Sequence, residues 1–247
     1  MTARRARGRE LRVRAYARLD RDRARRIGLP EVVLAEAKSS EQLLGILRAL
    51  SAGGHGALVS RPTSEQRKAL AVARRAGLAV RELAGGRLVR LRGPLGPVPL
   101  VGTVAIVAAG TSDVALAEEA RAVLVELGVR VVRAYDVGVA GLHRLLRALD
   151  ELERHRPSIY LVFAGREGAL PTVVSGLVRS PVVGVPTSVG YGRGGSGEAA
   201  LLAMLQSCAP IGVVNIDAAV PAALFAAHHF VGRPARGTRG RPRRARS

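Results

Sequence analysis

The chain has one cysteine, no tryptophan and only 3% aromatic residues in 247. A single cysteine excludes an internal disulfide, and no Cys/His cluster has the spacing of a zinc site. So few aromatics leave no platform on which bases stack, and they require a core built from Ala, Val and Leu. No apolar run approaches the ~20 residues of a membrane span, and the first residues lack the apolar stretch of a secretory leader. A cytoplasmic protein with no membrane association is therefore expected.

What is abundant is positive charge, formally +20. It sits at the ends: residues 1–30 hold eleven arginines against Glu10, Asp20 and Asp22, and Arg233 to Ser247 hold seven arginines and no acid. The ends thus carry +8 and +7, leaving +5 on the 202 residues between them. A body so nearly balanced is not a nucleic-acid platform, and no specific nucleic-acid partner is expected.

Hydrophobic patterning divides the chain into five parts. Residues 1–28 are arginine-rich with interspersed apolar residues, consistent with a helix. Residues 29–92 read as a small α/β domain: a strand at Glu31 to Ala37, a helix capped by Ser39 or Ser40, a strand at Ala57 to Ser60 and a helix capped by Thr63 or Ser64. Two strands flanking Gly85-Gly86 then give a hairpin signal. Residues 93–100, GPLGPVPL, form a linker whose prolines and glycines disfavour helix and central strand alike.

Residues 101–231 repeat strand, loop and helix five times, starting at Thr103, Val129, Ile159, Pro181 and Ile211. That order predicts a flavodoxin-like, five-stranded parallel sheet with helices on both faces. Residues 232–247 are too charged to fold. Ligands of such sheets sit outside the carboxyl ends of the strands. Thr111, Ser112 and Asp113 follow the first strand there, Asp136 the second, Arg166 and Glu167 the third, Thr187, Ser188 and Tyr191 the fourth, and Asn215 and Asp217 the fifth. The helix start at Thr111 to Asp113 suits a phosphate, which Asp113 itself would repel, so Asp113 is expected to cap the helix or to bind a hydroxyl or metal; the glycines from Gly190 to Gly197 make that loop a cradle for phosphate and ribose. Cys208 follows a helix, and a lone intracellular thiol is more often inert filler than a nucleophile.

The stretches AGREGALPTVVSGLV, GVPTSVGYG, AALLAMLQSCA and VVNID, with LDRDRARRIGLPEVVLAEAKSSEQ and AAGTSDVALAEEA earlier, together resemble the LarB family. These are pyridinium-3,5-biscarboxylic acid mononucleotide synthases, which begin assembly of the nickel-pincer cofactor. Their second half is similar to the aminoimidazole ribonucleotide carboxylases. The resemblance spans residues 15 to 217 and implies carboxylation of nicotinic acid adenine dinucleotide, with CO2 or bicarbonate as co-substrate, and cleavage of its phosphoanhydride to release AMP.

The resemblance further implies that Cys208 adds to the ring and that Glu167 is the base that removes the ring proton. His143 is added because a similarly placed His-Arg pair lines the site of the carboxylases. Mg2+ is an expected cofactor that would neutralise phosphate charge, although the sequence holds no metal cage. A homo-oligomer, an octamer by analogy with the carboxylases, is the implied assembly. The helix end before Cys208 disfavours an anion, so activation would come from the substrate's ring cation or a nearby base.

Two departures stand out. The family's NID continues as Asn-Gly-Phe-Gly, whereas here it continues as Ala218-Ala219-Val220-Pro221, and Arg166 replaces a neutral residue. The alternative readings are an aminoimidazole ribonucleotide carboxylase or mutase, and an arginine-ended binding protein on an inactivated enzyme fold.

Overall fold

The computed structural model describes residues 10–20, 22–96 and 99–232. Most of the arginine-rich tail, and the first nine residues, lie outside them, and so does the expectation that the tail does not fold.

Strands β1 (Glu10–Val13) and β2 (Ala17–Asp20) pair antiparallel, followed by the short helix α1 (Arg23–Ile27). A hairpin thus replaces the helix expected over the described part of the arginine-rich segment. The residues alternate with period two, and Val13 and Leu19 are buried in the neighbouring core while the intervening arginines face outward.

The next unit contains β3 (Val32–Leu34), α2 (Ser40–Ala52), β4 (Ala57–Ser60), α3 (Ser64–Arg75), β5 (Val80–Leu83) and β6 (Leu88–Leu91). Its four strands lie in the order β3-β4-β6-β5, with β3 and β4 parallel and the other pairs antiparallel. Both helices start where the sequence signals them. Ser39 with Gln42, and Thr63 with Gln66, form reciprocal capping boxes that satisfy the first free N–H groups. Gln66 is also buried, donating to the carbonyls of Ala35 and Lys38 and so tying α3 to the end of β3.

The larger unit alternates β7 (Thr103–Ala108), α4 (Val114–Glu126), β8 (Arg130–Ala134), α5 (Leu142–Glu153), β9 (Ile159–Ala164), α6 (Leu170–Ser175), β10 (Val182–Pro186), α7 (Glu198–Leu205), β11 (Ile211–Val213) and α8 (Ala219–His228). Its strands are all parallel in the order β8-β7-β9-β10-β11, the flavodoxin-like order. Alternation along β7 and β9 divides the core. Val104, Ile106, Leu161 and Phe163 face α4 and α8, whereas Ala105, Val107, Tyr160 and Val162 face α5, α6 and α7. Leu58 and Leu88 of the smaller sheet join the first of these clusters, so one continuous apolar core links the two sheets.

β11 is shorter than the run from Ile211 to Ile216 suggests. The Asn215 side chain takes the Ile216 N–H, and the Asp217 N–H turns to the Pro186 carbonyl, 2.8 Å away, ending the ladder. No helix among the described residues is long and apolar enough to cross a membrane.

Candidate active site

Strand order reverses between β7 and β9, and the loops leaving these two strands part to form a cleft. Its volume is about 270 Å3, and its walls include Gly110, Ser112, Asp113, Gly138, Gly165, Arg166, Glu167 and Val189. Ser112, Asp113, Arg166 and Glu167, far apart in sequence, are therefore brought together as expected of this sheet edge.

Asp113 is the organising group. Only 4% exposed, it accepts the Gly110 N–H at 2.9 Å on one oxygen and the Thr187 hydroxyl at 2.6 Å on the other. Burial pushes its carboxyl above the ordinary range; the bonds from Thr187 and Gly110 oppose that shift, and the nearby carboxylates of Asp217 and Glu167 add to it. Thr187 is wholly buried and its N–H donates to Ala164, so the loops after β7, β9 and β10 are fastened to one another through a single carboxylate.

Glycines make this fastening possible. A side chain at Gly165 would place its first carbon 2.6 Å from the Val189 carbonyl oxygen and closer still to the Thr187 hydroxyl. One at Gly197, which has φ +83°, would stand 2.7 Å from the Thr187 carbonyl oxygen. The loop after β10 is held from the far side by Asp217, whose carboxylate accepts the Ser188 N–H at 2.8 Å. Arg61, at the end of β4, donates to the Asp217 carbonyl and so carries the smaller unit to the edge of the site. Arg166 is stacked 4.3 Å over the Tyr191 ring and donates to its hydroxyl at 3.2 Å.

Other expected residues stand apart. Asp136 pairs with Arg144 at 3.0 Å, and neither it nor His143, exposed in the first turn of α5, lines the cleft. Thr111 is exposed at the lip, and the Asn215 side chain is spent on its neighbour's N–H.

Cys208 is exposed and is not among the residues lining this cleft. The Gly168 backbone lies against Ala200 near the start of α7, and Cys208 comes three residues past the end of that helix. The Ser207 hydroxyl is bonded to Thr172 at 2.7 Å, fixing that end of α7 against α6. A crossover helix runs back toward the strands' amino ends, and a cysteine just past its terminus goes with it.

Among the described residues no group of three or more His, Cys, Asp or Glu could hold a metal ion. Among the described residues, then, no donor set of that size is present to hold Mg2+ on protein ligands alone. Sequence reasoning missed Gly165, Gly138 and Arg61. A glycine directly after a buried strand is a usable signal for the first, whereas Arg61 has no local one.

The residues just described coincide with two family matches. Residues 103–235 match AIR carboxylase, and residues 11–84 match the LarB/PurE-like N-terminal domain. An uncharacterized protein of Methanocaldococcus jannaschii is 48% identical over 130 residues, covering 52% of this chain and 50% of that protein. A probable N5-carboxyaminoimidazole ribonucleotide mutase of Methanothermobacter thermautotrophicus is 32% identical over 130 residues, covering 50% of this chain and 36% of that one. The chain thus spans half or less of the length of these curated relatives.

Proposed function

Since the chain belongs to the AIR carboxylase family and joins that domain to a LarB/PurE-like N-terminal one, the pairing of the LarB family, we propose that it carboxylates the pyridinium ring of nicotinic acid adenine dinucleotide and hydrolyses its phosphoanhydride. The products are the biscarboxylated mononucleotide and AMP. CO2, supplied from bicarbonate, is the co-substrate.

A pyridinium ring is electron-poor and does not attack CO2. Addition of the Cys208 thiolate converts it into an enamine whose adjacent carbon forms the bond to CO2. Glu167 then takes the proton from that carbon, the C–S electron pair leaves with sulfur, and aromaticity returns. Water cleaves the anhydride. Ser112 and the hydroxyl-bearing loop after β10, fixed in place by Asp113, hold the ribose and phosphate of the mononucleotide half.

The observation that carries this reading over a purine one is the solvent-accessible thiol of Cys208. An electron-rich aminoimidazole captures CO2 without a protein nucleophile, whereas a pyridinium needs one. Because a crossover helix runs back toward the strands' amino ends and Cys208 follows α7, a second copy supplies the thiol in this reading. Exposed Leu202 and Leu205, on α7 beside Cys208, are the surface such a copy would cover. The mutase relative favours aminoimidazole ribonucleotide carboxylation or rearrangement as the second reading.

Incubation with the dinucleotide and bicarbonate, followed by mass spectrometry, should yield AMP and the dicarboxylated mononucleotide. Cys208→Ala and Glu167→Gln should each be inactive, yet mixing them before assembly should restore about a quarter of the activity, the fraction of shared sites with both groups intact. Full turnover by Cys208→Ala overturns the thiol mechanism, and conversion of aminoimidazole ribonucleotide by that variant establishes the second reading instead.

A further inference from the structure

A second cleft, of about 260 Å3, lies on the smaller unit between the end of β4, α3 and the turn joining β5 to β6; Arg61, Arg67 and Arg87 line it together with Gly85 and Gly86. We infer that this cleft is an anion subsite that takes a phosphate of the dinucleotide's adenylate half. Assigning the phosphate to that substrate rests on the function proposed above; that the cleft binds a phosphate does not.

Its charge is unbalanced. The carboxylate within reach, Glu119, is wholly buried beneath the cleft and accepts from Arg87 Nε at 3.1 Å and Ser60 at 3.0 Å, with Arg61 Nε 3.5 Å away. One negative charge therefore faces three guanidiniums. Among the described residues Arg67 forms no ion pair. Glu119 engages Arg61 and Arg87 through their Nε atoms and Arg61 Nη2 is given to the Asp217 carbonyl, so among the described residues the terminal nitrogens of Arg87 and Arg67 have no hydrogen bond. Groups held in this way suit the fixed geometry of phosphate oxygens.

The backbone is shaped for the same purpose. Ala84, Gly85 and Gly86 have successive φ values of 48°, 63° and 86°, a left-handed run that brings the turn close over α3. A side chain on Gly86 would come 2.5 Å from Arg67 Nη1, so glycine there lets the guanidinium lie across the turn. The cleft is smaller than the ~300 Å3 at the lower end of sites for whole small molecules, which fits a phosphate better than a nucleoside.

Its position supplies the ligand's other end. Arg61 donates to the Asp217 carbonyl, and the Asp217 carboxylate holds Ser188 in the loop that flanks the first cleft. Glu119, which pairs with Arg87 and neighbours Arg61, is six residues beyond Asp113 of the first cleft, about 9 Å of rise along α4. A dinucleotide with its ring in the first cleft reaches the second with a phosphate.

The test uses the full-length protein with Arg67→Gln, a change at a half-buried position of α3 that leaves Glu119 paired. Calorimetric titration of wild type should detect AMP and inorganic pyrophosphate, and Arg67→Gln should weaken both roughly tenfold or more. Arg67→Lys, which keeps the charge but not the fork, should fall between. Nicotinic acid mononucleotide should bind wild type and variant equally, and in turnover Arg67→Gln should raise KM for the dinucleotide about tenfold with kcat little changed. If wild type binds neither AMP nor pyrophosphate, or the variant binds both as well, the subsite is refuted whatever the enzyme turns over. If pyrophosphate binding is lost but the dinucleotide's KM is unmoved, the cleft serves a free anion and the substrate assignment falls. Loss of anion binding in a protein that does not turn over the dinucleotide leaves the anion subsite standing and overturns the proposed function.

Discussion

Gly165→Ala tests whether the site is held by contact between the loops after β9 and β10. The added methyl group would lie 2.6 Å from the Val189 carbonyl oxygen and nearer still to the Thr187 hydroxyl, inside a region with no room to expand because Thr187 and Ala164 are buried. Forcing an extra carbon into such packing costs about 1–3 kcal/mol. Relief is available chiefly by swinging the Thr187 hydroxyl away, which breaks its 2.6 Å bond to Asp113. A bond to an ionised group contributes about 1.5–3 kcal/mol. Together these give roughly 2.5–6 kcal/mol, and for a chain of this size each kcal/mol lowers Tm by about 2–4 °C. Urea unfolding should show a lower midpoint with an unchanged slope, calorimetry a Tm lower by about 10 °C, and turnover should drop because Arg166 and Glu167 move with the loop. A variant melting within about 2 °C of wild type would refute the close approach of these loops.

Two further outcomes follow from buried carboxylates. The folded state raises the Asp113 carboxyl, so it binds that proton more tightly than the unfolded chain does; stability from this group is therefore greatest below the unfolded value and declines as pH rises through the folded one. Asp113→Asn, which can still accept from Gly110 and donate to Thr187, should flatten that part of the stability-pH curve while weakening substrate binding; an unaltered curve from acid to neutral pH would show that Asp113 does not cause the slope. Glu119→Gln should destabilise by about 2 kcal/mol, less than for a fully buried pair because Arg61 and Arg87 are each about a third exposed. Equilibrium unfolding measures it, and a loss under about 0.5 kcal/mol would mean that Glu119 contributes little to joining the two units.

Local signals carried much of the architecture. The five apolar runs from Thr103 to Ile216, each followed by glycine or polar residues, read directly as parallel strands, and Ser39 and Thr63 marked their helix starts through bonds reaching only three residues ahead. Arginine composition pointed to a helix before residue 28, where the two-residue alternation around Val13 and Leu19 in fact builds a hairpin. The cleft's Ser112, Asp113, Arg166 and Glu167 were legible because strand ends in a parallel sheet share one edge. His143 and Asp136 were drawn to that edge by the same logic, yet Asp136 turns to Arg144 and neither lines the cleft.

The sequence alone determined the class of sheet, its helix starts and which loops share an edge, since these depend on periodicity and on hydrogen bonds spanning three or four residues. Tertiary structure decided the rest. That Glu119 lies under Ser60 and Arg87, and that Arg61 reaches Asp217 across 156 positions, follows from how the two sheets dock on one core. The direction of α7 separates Cys208 from Glu167, because a crossover helix must return toward the start of the next strand and takes its last residues with it.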